Sequence, residues 1–367
     1  MAETNLKVLH VASGDLWAGA EAQLFNLSKK LNDKSDVSLK VVLLNHGELE
    51  NRLLNEGIDT VVITENSIGF VGILRALSQV CANWLPDIIH SHRFKENILV
   101  GLCSLRFSIP SVRTVHGASE IEISTFSLKG ALHQLDLLIG KYVNKKVIAV
   151  SEDLKRNLIP GYRDEKIVVI RNGIGVSEQG SKASILPQKE FNIGIVGRLT
   201  PVKRVDVYLE VAKELLQSDL NVGLRFYVVG EGALWEELKQ RSVSLGIQDN
   251  VTFTGHVANS EEYIRSFDCV LMTSSHEGTP MTLLECLRYK TPIIANDVGG
   301  ICELLEGGKC GALISNNNIG EYVSHVKNTI KREAIVRMRT ESGYSMLLNK
   351  YSSDVCAEAH VQLYKAS

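Results

Sequence analysis

The stretch FNIGIVGRLTPVK, residues 191–203, has the form of a buried strand followed by a loop that begins at a glycine. The apolar run 191–196 predicts the strand, and Gly197 allows the backbone to turn tightly where the strand ends. The preceding segment, 173–190, contains Gly, Ser, Gln, Lys and Pro without convincing periodicity, which predicts an interdomain linker. The quoted stretch therefore marks the first strand of a second domain.

Strands alternate with helices on both sides of this boundary. The strands predicted in the second half are 191–196, 225–230, 251–253, 269–272, 292–295 and 311–314. Those predicted in the first half are 7–12, 40–44, 60–63, 87–91, 111–115, 146–150 and 166–170, with helices at 20–31, 68–84 and 129–144. This alternation predicts a doubly wound parallel sheet in each half of an α/β protein.

The predicted organisation is two Rossmann-like domains in series, at residues 1–175 and 190–350. Ligands of open α/β sheets bind outside the carboxyl ends of the strands, so two such domains facing each other would enclose a central cleft. A final helix at about 353–367 carries apolar residues without a single stripe, and we expect it to pack back on the first domain.

Composition restricts the class of protein. A formal net charge of -2 argues against a nucleic-acid-binding protein, which normally carries a basic excess. The seven cysteines are scattered and form no Cys-x-x-Cys pair, which indicates reduced thiols in a cytoplasmic protein. Residues 1–11 contain no long apolar segment and no 18-residue apolar run occurs, which argues against export and membrane spanning.

A second stretch, SHEGTPMTLLE at residues 275–285, predicts an anion site. Residues 281–289 read as a helix with Pro280 in its first turn, where a missing N–H costs nothing. The unpaired N–H groups at such a helix start suit an anion. Glu277 and Glu285, eight positions apart, could hold two parts of an elongated polar ligand. A sugar joined through a diphosphate to a nucleoside is one such ligand.

Two cations follow the first strand of the second half. Arg198 and Lys203 are five positions apart and could converge on one pyrophosphate. Each cation–phosphate contact at about 4 Å has a gross attraction of roughly 4 kcal/mol in an interfacial dielectric, before desolvation. Taken alone, the loop could equally be a solvated basic loop.

Together these segments resemble a known family. Gly197-Arg198-Leu199 with Lys203, followed by Glu277 and Glu285, is similar to the G-R-L-x-x-x-K and E-x7-E signature of the retaining glycosyltransferases of family 4, which have the GT-B fold. The glycine-rich segment VGGICE, 298–303, also resembles that family. Three segments of the first half resemble it as well: WAGAE at 17–21, where Ala18 replaces the first glycine, TVHG at 114–117 and RNGI at 171–174.

The resemblance implies roles for particular residues. Glu285 would hold the ribose hydroxyls, Glu277 would contact the donor sugar, and His116 would orient that sugar. Arg198, Lys203 and the helix start would stabilise the departing diphosphate. The catalytic residues implied are His116, Arg198, Lys203 and Glu277. The donor-binding residues implied are Gly19, Gly197, Arg198, Lys203, His256, Val257, Glu277, Gly278, Pro280, Met281, Thr282 and Glu285.

The function implied is transfer of a sugar, with retention, from a nucleotide diphosphate sugar to a glycan or lipid-linked acceptor, as in bacterial cell-surface polysaccharide or lipopolysaccharide synthesis. A UDP-sugar is the preferred donor and GDP-mannose the next. No metal or other cofactor is expected, since the chain has no D-x-D motif. The alternatives are a GT-B sugar-nucleotide epimerase, a non-catalytic sugar-nucleotide-binding subunit and, least favoured, an NAD-dependent oxidoreductase, because no G-x-G-x-x-G follows either first strand.

Several residues have an ordinary as well as a functional interpretation. His90 and His92 flank a strand end, but no nearby carboxylate pair supports a metal site. Asp15 could be an acceptor-site base or a loop turn, and Glu303 is expected simply to begin a helix. The leucine-rich segment 126–142 is either a core-facing helix or, helped by mildly basic surroundings, a peripheral contact with the cytoplasmic face of a membrane or with a lipid-linked acceptor.

Overall fold

Each half of the chain forms one wholly parallel sheet covered by helices. The computed structural model describes residues 5–15, 17–117, 128–176, 185–257 and 259–367. Part of the predicted linker (177–184) and the start of the predicted helix at 126–142 therefore lie outside the described residues. The chain divides into two units, Met1–Gly175 together with Tyr351–Ser367, and Val176–Lys350. The prediction of two parallel α/β domains is confirmed.

The first unit is built on a seven-stranded sheet in the order β3-β2-β1-β4-β5-β6-β7. Its strands are β1 (Leu6–Ala12), β2 (Val37–Leu43), β3 (Asp59–Val62), β4 (Ile88–Ser91), β5 (Ser111–Val115), β6 (Lys146–Ala149) and β7 (Ile167–Val169). The central strand β1 carries Val8, Leu9 and Val11, none of which has exposed area. Both faces of the strand are thus buried, as a sheet covered by helices on both sides requires.

The described residues of this unit form seven helices. They are α1 (Gly19–Asn32), α2 (Glu48–Asn55), α3 (Glu65–Trp84), α4 (Phe94–Phe107), α5 (Leu128–Tyr142), α6 (Glu152–Leu158) and α14 (Ser353–Lys365). Helix α14 packs against α1, and its Val361 and Tyr364 belong to the same buried cluster as Leu24 of α1.

The close approach of α14 depends on a glycine. A Cβ atom on Gly173 would lie 2.7 Å from Cβ of Cys356 and 2.8 Å from the carbonyl oxygen of Ser352. The backbone there is also bonded, since Ile174 N donates to the Tyr351 carbonyl at 2.9 Å and Ser353 N donates to the Ile174 carbonyl at 2.9 Å. The absence of a side chain at Gly173 therefore lets the helix reach the sheet of the first unit.

The second unit is built on a six-stranded sheet in the order β10-β9-β8-β11-β12-β13. Its strands are β8 (Phe191–Val196), β9 (Leu224–Val229), β10 (Val251–Gly255), β11 (Cys269–Met272), β12 (Ile293–Asn296) and β13 (Ala312–Ile314). Its helices are α7 (Val205–Leu216), α8 (Trp235–Ser244), α9 (Ser260–Ser266), α10 (Met281–Tyr289), α11 (Ile301–Leu304), α12 (Ile319–Ile330) and α13 (Ala334–Lys350).

Both sheets reverse their strand order at one place, between β1 and β4 in the first unit and between β8 and β11 in the second. At such a switch point the loops on either side leave the sheet in opposite directions and open a crevice at the carboxyl edge. The loop of the quoted stretch follows β8, and the SHEGTP segment follows β11. The topology of the second unit therefore brings the two predicted anion-binding segments together.

Helix α5 has both a buried and an exposed apolar side. Ile139 is buried against α4, where a Cβ atom on Gly101 would lie 2.5 Å from its Cγ2 atom. Leu135 and Leu138 are 41% and 52% exposed. The helix is thus partly core-facing and leaves an apolar strip uncovered within its unit. Within the described residues, every helix is too short or too polar to span a bilayer.

Candidate active site

The loops after β8 and β11 are bonded side by side at the switch point of the second unit. Ser275 N donates to the Val202 carbonyl at 2.8 Å, and the Thr273 hydroxyl lies 2.9 Å from the Lys203 carbonyl. These bonds join the short turn Pro201–Lys203 to the segment that carries Glu277. The position of Lys203 therefore depends on the loop after β11 as well as on its own loop, which follows β8.

Glycines let the loops after β8 and β9 approach each other closely at this edge of the sheet. Gly197 has φ +150°, and a Cβ atom on Gly230 would lie 2.2 Å from the Gly197 carbonyl oxygen. The loops after β8 and β9 thus touch backbone to backbone, and Leu199 N donates to the Glu231 carbonyl at 2.9 Å. Only glycine tolerates such an approach. Gly197 and Lys203 line a pocket at this edge.

Lys203 and Glu277 form the central ion pair of the site. The Lys203 Nζ atom lies 2.6 Å from Oε1 of Glu277, and the side chains are 21% and 13% exposed. The Ser274 hydroxyl donates to the same oxygen at 2.7 Å. The sequence predicted that Lys203 faces phosphate and Glu277 faces sugar, but not that the two would pair. A cation and a carboxylate held together can contact neighbouring parts of one ligand.

The VGGICE segment, 298–303, packs against the backbone of Glu277. Gly299 has φ +55°, and a Cβ atom there would lie 2.0 Å from the Glu277 carbonyl oxygen. Gly300 N donates to that same carbonyl at 2.9 Å. Helix α11 then begins at Ile301, so Glu303 lies in its first turn as expected. The glycines thus position the backbone of Glu277.

Helix α10 begins at Met281 and ends at Tyr289, as the sequence predicted. Placing Pro280 in its first turn was wrong by one position. Pro280 is the N-cap, with φ -71° and ψ 120°, because the residue before a helix takes an extended ψ while its carbonyl already accepts from Leu283 N at 3.1 Å. The N–H groups of Met281 and Thr282 belong to the first turn, where a helix has no internal acceptor. Gly278 lies in the loop immediately before.

Glu285 lies half-buried on α10 beside other charged groups. Burial, together with the charge of Glu261, raises its pKa to about 8, and Arg288 opposes the shift. Glu261 itself accepts hydrogen bonds from the Tyr289 hydroxyl and, at 3.4 Å, from Arg288. Sequence reasoning missed Glu261, which stands on α9 with no spacing that links it to Glu285.

Three other predicted residues of this unit, Arg198, His256 and Val257, lie in loops after strands. Arg198 is exposed and forms no ion pair with any residue that the structure describes. His256 is exposed immediately after β10, and Val257 is half-buried next to it. The structure places all three at the carboxyl ends of β8 and β10 and does not join them to the Lys203–Glu277 pair.

In the first unit, Gly19 is the exposed first residue of α1. Glu21, in the first turn of that helix, is buried, forms an ion pair with Arg93, and has a pKa that burial raises. Arg93 follows β4, so the pair spans the switch point between β1 and β4. Asp15 is exposed in the loop after β1. The sequence quoted Glu21 in a motif but did not anticipate its partner.

His116 follows β5 and is joined to other histidines. Its Nε2 atom lies 3.3 Å from Nδ1 of His92, and Nε2 of His92 lies 2.9 Å from Nδ1 of His10. Ligand atoms of His10, His90 and His92 all lie within 4.8 Å of one another. Burial lowers the pKa of His116 to about 3, helped by Arg93 and Arg113. The sequence singled out all of these histidines except His10.

Comparisons with known proteins agree with this architecture. Residues 17–178 match the family described as Glycosyltransferase Family 4, and residues 176–346 match the family described as Glycosyl transferases group 1. A crystal structure of Anabaena HepE in complex with UDP-glucose has a TM-score of 0.84 at 20% identity, covering 99% of this chain and 100% of that one. The apo form of the lipopolysaccharide outer core galactosyltransferase WaaB has a TM-score of 0.71 at 17% identity, covering 99% and 100%.

Curated relatives show lower coverage. The chain is 24% identical over 244 residues to poly(ribitol-phosphate) α-N-acetylglucosaminyltransferase of Staphylococcus aureus, covering 66% of this chain and 48% of that protein. It is 26% identical over 250 residues to UDP-Gal:α-D-GlcNAc-diphosphoundecaprenol α-1,3-galactosyltransferase of Escherichia coli, covering 65% of each. It thus spans about half the length of the first relative and under two thirds of the second. On these matches and this fold, the chain belongs to the family 4 glycosyltransferases of the GT-B type.

Proposed function

We propose that this protein transfers a sugar from a nucleotide diphosphate sugar to a glycan or lipid-linked acceptor, with retention at the anomeric carbon. The observation that carries the proposal is the Lys203–Glu277 pair at the switch point of the second unit. A cation for the diphosphate and a carboxylate for sugar hydroxyls are adjacent there, one in the short turn Pro201–Lys203 and the other in the loop before α10. No metal or other cofactor is part of the proposal.

The chemical difficulty is departure of the nucleoside diphosphate. The bond from the anomeric carbon to the β-phosphate oxygen breaks while positive charge develops on the sugar. Lys203, Arg198 and the first turn of α10 stabilise the charge on the leaving group. The acceptor hydroxyl attacks the same face, forms the new glycosidic bond and gives its proton to the departing phosphate oxygen. By the family resemblance, His116 orients the sugar and Glu285 binds the ribose.

A UDP-sugar is the proposed donor, with GDP-mannose second. The printed name of the Escherichia coli relative specifies UDP-Gal, and the similar HepE structure holds UDP-glucose. Gly19, His256 and Val257 complete the proposed donor-binding set, together with Gly197, Gly278, Pro280, Met281 and Thr282. His256 and Val257 would pass near the base because they follow β10 at the edge of the crevice.

The proposed acceptor belongs to bacterial cell-surface polysaccharide or lipopolysaccharide synthesis. The printed names of relatives specify a poly(ribitol-phosphate) chain and a diphosphoundecaprenol-linked sugar. We propose a cytoplasmic protein that contacts the inner face of the membrane peripherally through α5. Its exposed Leu135 and Leu138 would meet the lipid surface.

Calorimetry and NMR test this proposal directly. UDP is expected to bind more tightly than GDP in isothermal titration. With a panel of UDP-sugars, NMR should show slow hydrolysis of the preferred donor. In the transfer product, the sugar should keep the anomeric configuration that it had in the donor. Interconversion of nucleotide sugars without an acceptor would instead identify an epimerase. Binding of neither nucleotide would overturn the proposal.

Replacement of Gly299 by alanine is expected to weaken UDP binding about tenfold, equivalent to roughly 1.4 kcal/mol. The added methyl group would lie 2.0 Å from the Glu277 carbonyl oxygen and must displace that segment. The matched control is Gly246→Ala. Gly246 has φ +70° but no atom within 4 Å of the added methyl group, so this variant measures backbone strain alone. Equal UDP affinities for the two variants would contradict the assigned role of the glycine turn.

The affinity for UDP is expected to rise by up to about tenfold between pH 7 and pH 9. With a pKa of about 8, Glu285 is mostly protonated at pH 7, and its carboxylate forms as the pH passes 8. In the proposed complex this carboxylate accepts hydrogen bonds from both ribose hydroxyls. Isothermal titration calorimetry across this pH range measures how the affinity for UDP changes with pH.

Two variants separate Glu285 from other titrating groups. Glu285→Gln should bind UDP with little dependence on pH, because the amide does not ionise. Glu261→Gln should move the rise in affinity to lower pH, since the charge of Glu261 helps to raise the Glu285 pKa. An identical pH slope in Glu285→Gln would exclude Glu285 as the titrating group.

A further inference from the structure

Three side chains hold three consecutive backbone carbonyls at the end of β11, just before the segment that carries Glu277. The carbonyls belong to residues 272–274. Their side-chain donors, in the same order, are Tyr322 at 2.8 Å, Asn317 at 2.8 Å and Asn296 at 3.0 Å. We call these three side chains the carbonyl clamp. One lies on α12, one in the turn after β13 and one on β12, so the end of β11 is bonded to three other elements.

The two amide groups of the carbonyl clamp each have a single possible orientation. Oδ1 of Asn296 accepts from the Asn317 N–H at 2.9 Å, while its Nδ2 donates to the Ser274 carbonyl. A backbone N–H only donates and a carbonyl only accepts, so exchanging the two ends of this amide would lose both bonds. The Thr273 carbonyl likewise requires Nδ2 of Asn317, whose Oδ1 lies 3.1 Å from the Tyr322 hydroxyl. The three side chains are therefore linked to one another as well as to β11.

The middle member of the clamp lies in a turn with an unusual backbone. Asn316 and Asn317 have φ of +50° and +54°, in the left-handed region that residues with a Cβ atom rarely enter. Asparagine tolerates this region because its short polar side chain can form local hydrogen bonds. Backbone strain of this kind clusters at active sites. Here the left-handed turn brings the Asn317 amide onto the Thr273 carbonyl.

The next asparagine joins this turn to α12. Glu321 N donates to Oδ1 of Asn318 at 3.1 Å, and Ser315 N donates to Oε2 of Glu321 at 3.0 Å. The N-cap of α12 and the first residue of the turn are thus bonded to the same glutamate. The three asparagines 316–318 therefore have different roles: the first forms the turn, the second belongs to the carbonyl clamp, and the third caps the helix.

Two hydroxyl groups connect the clamped backbone to the ion pair. The Ser274 hydroxyl donates to Oε1 of Glu277 at 2.7 Å. The Thr273 hydroxyl lies 2.9 Å from the Lys203 carbonyl and 2.8 Å from the Arg204 carbonyl, and its one proton is shared between them. Thr273 and Ser274 are 0% and 1% exposed. The clamp therefore acts on the carboxylate through one hydroxyl and on the backbone of the lysine through the other.

We propose that the three residues of the carbonyl clamp are positioning residues for the Lys203–Glu277 pair. In the described structure none of the three is bonded to either member of the pair. They act by fixing the backbone at the end of β11, from which the two hydroxyls hold the lysine and the carboxylate in one relative position.

The consequence for catalysis rests on the proposed function. If the pair contacts the diphosphate and the sugar, loosening it leaves both charges available for binding but misplaces them for the transfer step. A misplacement of about 1 Å is enough to slow a reaction by up to about 10²-fold. Loss of the clamp is therefore expected to lower kcat more than it raises KM for the donor.

The first test follows amide hydrogen exchange of the full-length protein by mass spectrometry, without a sugar donor. Ser275 N donates to the Val202 carbonyl at 2.8 Å, so its exchange reports how often the loop after β11 opens. Asn317→Gly keeps the left-handed turn but removes the clamping amide, and it should speed exchange in the peptide 273–277 about tenfold.

Asn316→Gly is the matched control. It also places a glycine at a left-handed position of the same turn, but the side chain that it removes is exposed and lies outside the clamp. Exchange in the peptide 273–277 should therefore stay at the wild-type rate. Equal exchange rates in Asn316→Gly and Asn317→Gly would overturn the proposal.

Steady-state kinetics with the preferred UDP-sugar provide the second test. Asn317→Gly should lower kcat about tenfold and change KM for the donor by less than about threefold. Asn317→Asp keeps the shape of the side chain but removes the Nδ2–H donor, and it should lose as much. Wild-type kcat in Asn317→Asp would show that the amide donor does not position the pair. Tyr322→Phe, which keeps the buried ring and removes its hydroxyl, should change exchange and kcat in the same directions.

The two tests separate this proposal from the transfer reaction. A wild-type protein without transfer activity would refute the proposed function, while faster exchange in Asn317→Gly would still support the clamp. An active wild type with unchanged exchange and unchanged kcat in Asn317→Gly would refute the clamp alone. Lower stability toward urea with wild-type kcat in Asn317→Gly would also overturn it, because the residue would then serve only the fold.

Discussion

Replacement of Lys203 by alanine is expected to lower kcat for sugar transfer by about 10²–10³-fold, the usual cost of removing one preorganised group that stabilises developing charge. The Lys203 ammonium is held on Glu277 at 2.6 Å. It therefore needs little reorganisation when the diphosphate departs. The variant also leaves the Glu277 carboxylate without its cation, so the sugar side of the site is disturbed as well.

Steady-state kinetics with the preferred UDP-sugar measures this loss. Lys331→Ala, which removes an exposed lysine at the end of α12 in the same unit, is the matched control and should retain full activity. Lys203→Arg keeps the charge and should recover part of kcat. Transfer by Lys203→Ala at the wild-type rate would show that Lys203 is not part of the catalytic site.

Replacement of Asp136 by alanine is expected to destabilise the first unit by about 3–5 kcal/mol, the cost of leaving one member of a buried ion pair alone. Asp136 and Arg113 pair with 0% and 2% exposure, and Asn97 donates to the second carboxylate oxygen at 2.9 Å. Arg113 also donates to the Tyr162 hydroxyl at 3.2 Å. The alanine variant strands the guanidinium inside the sheet-and-helix core.

Urea unfolding of a Trp235→Phe background measures this effect. The remaining tryptophans, Trp17 and Trp84, both lie in the first unit, so their fluorescence reports its unfolding separately. The double variant Arg113→Met with Asp136→Leu should recover most of the lost stability, because no charge then remains buried. A loss below 1 kcal/mol in Asp136→Ala would mean that the pair is solvated in solution.

The sheets could be predicted because their strands are buried on both faces. Such strands read as short apolar runs bounded by turn residues, and the runs at 191–196, 111–115 and 269–272 coincide with β8, β5 and β11. Helix α10 was equally accessible, since Pro280 marks its start. These signals are local, and each lies within about ten residues of sequence.

The contacts within the sites could not be predicted in the same way. Lys203 and Glu277 are 74 residues apart, and their pairing depends on the order of β8 and β11 in the sheet. His10 lies opposite His90 because β1 pairs with β4 in one register, which no residue spacing specifies. Glu261 reaches Glu285 from another helix, α9. For Lys203 and Glu277, the family resemblance indicated that such distant residues share a site.

The return of α14 to the first unit has a consequence for synthesis on the ribosome. Residues 176–350 are translated before residues 351–367, which supply Cys356, Val361 and Tyr364 to the core of the first unit. The second unit can therefore complete its sheet while the first still lacks part of its core. Domains of a nascent chain generally fold in order from the amino terminus. Here the first unit starts first and finishes last, because contacts such as the hydrogen bond between Tyr364 and His90 form only when α14 arrives.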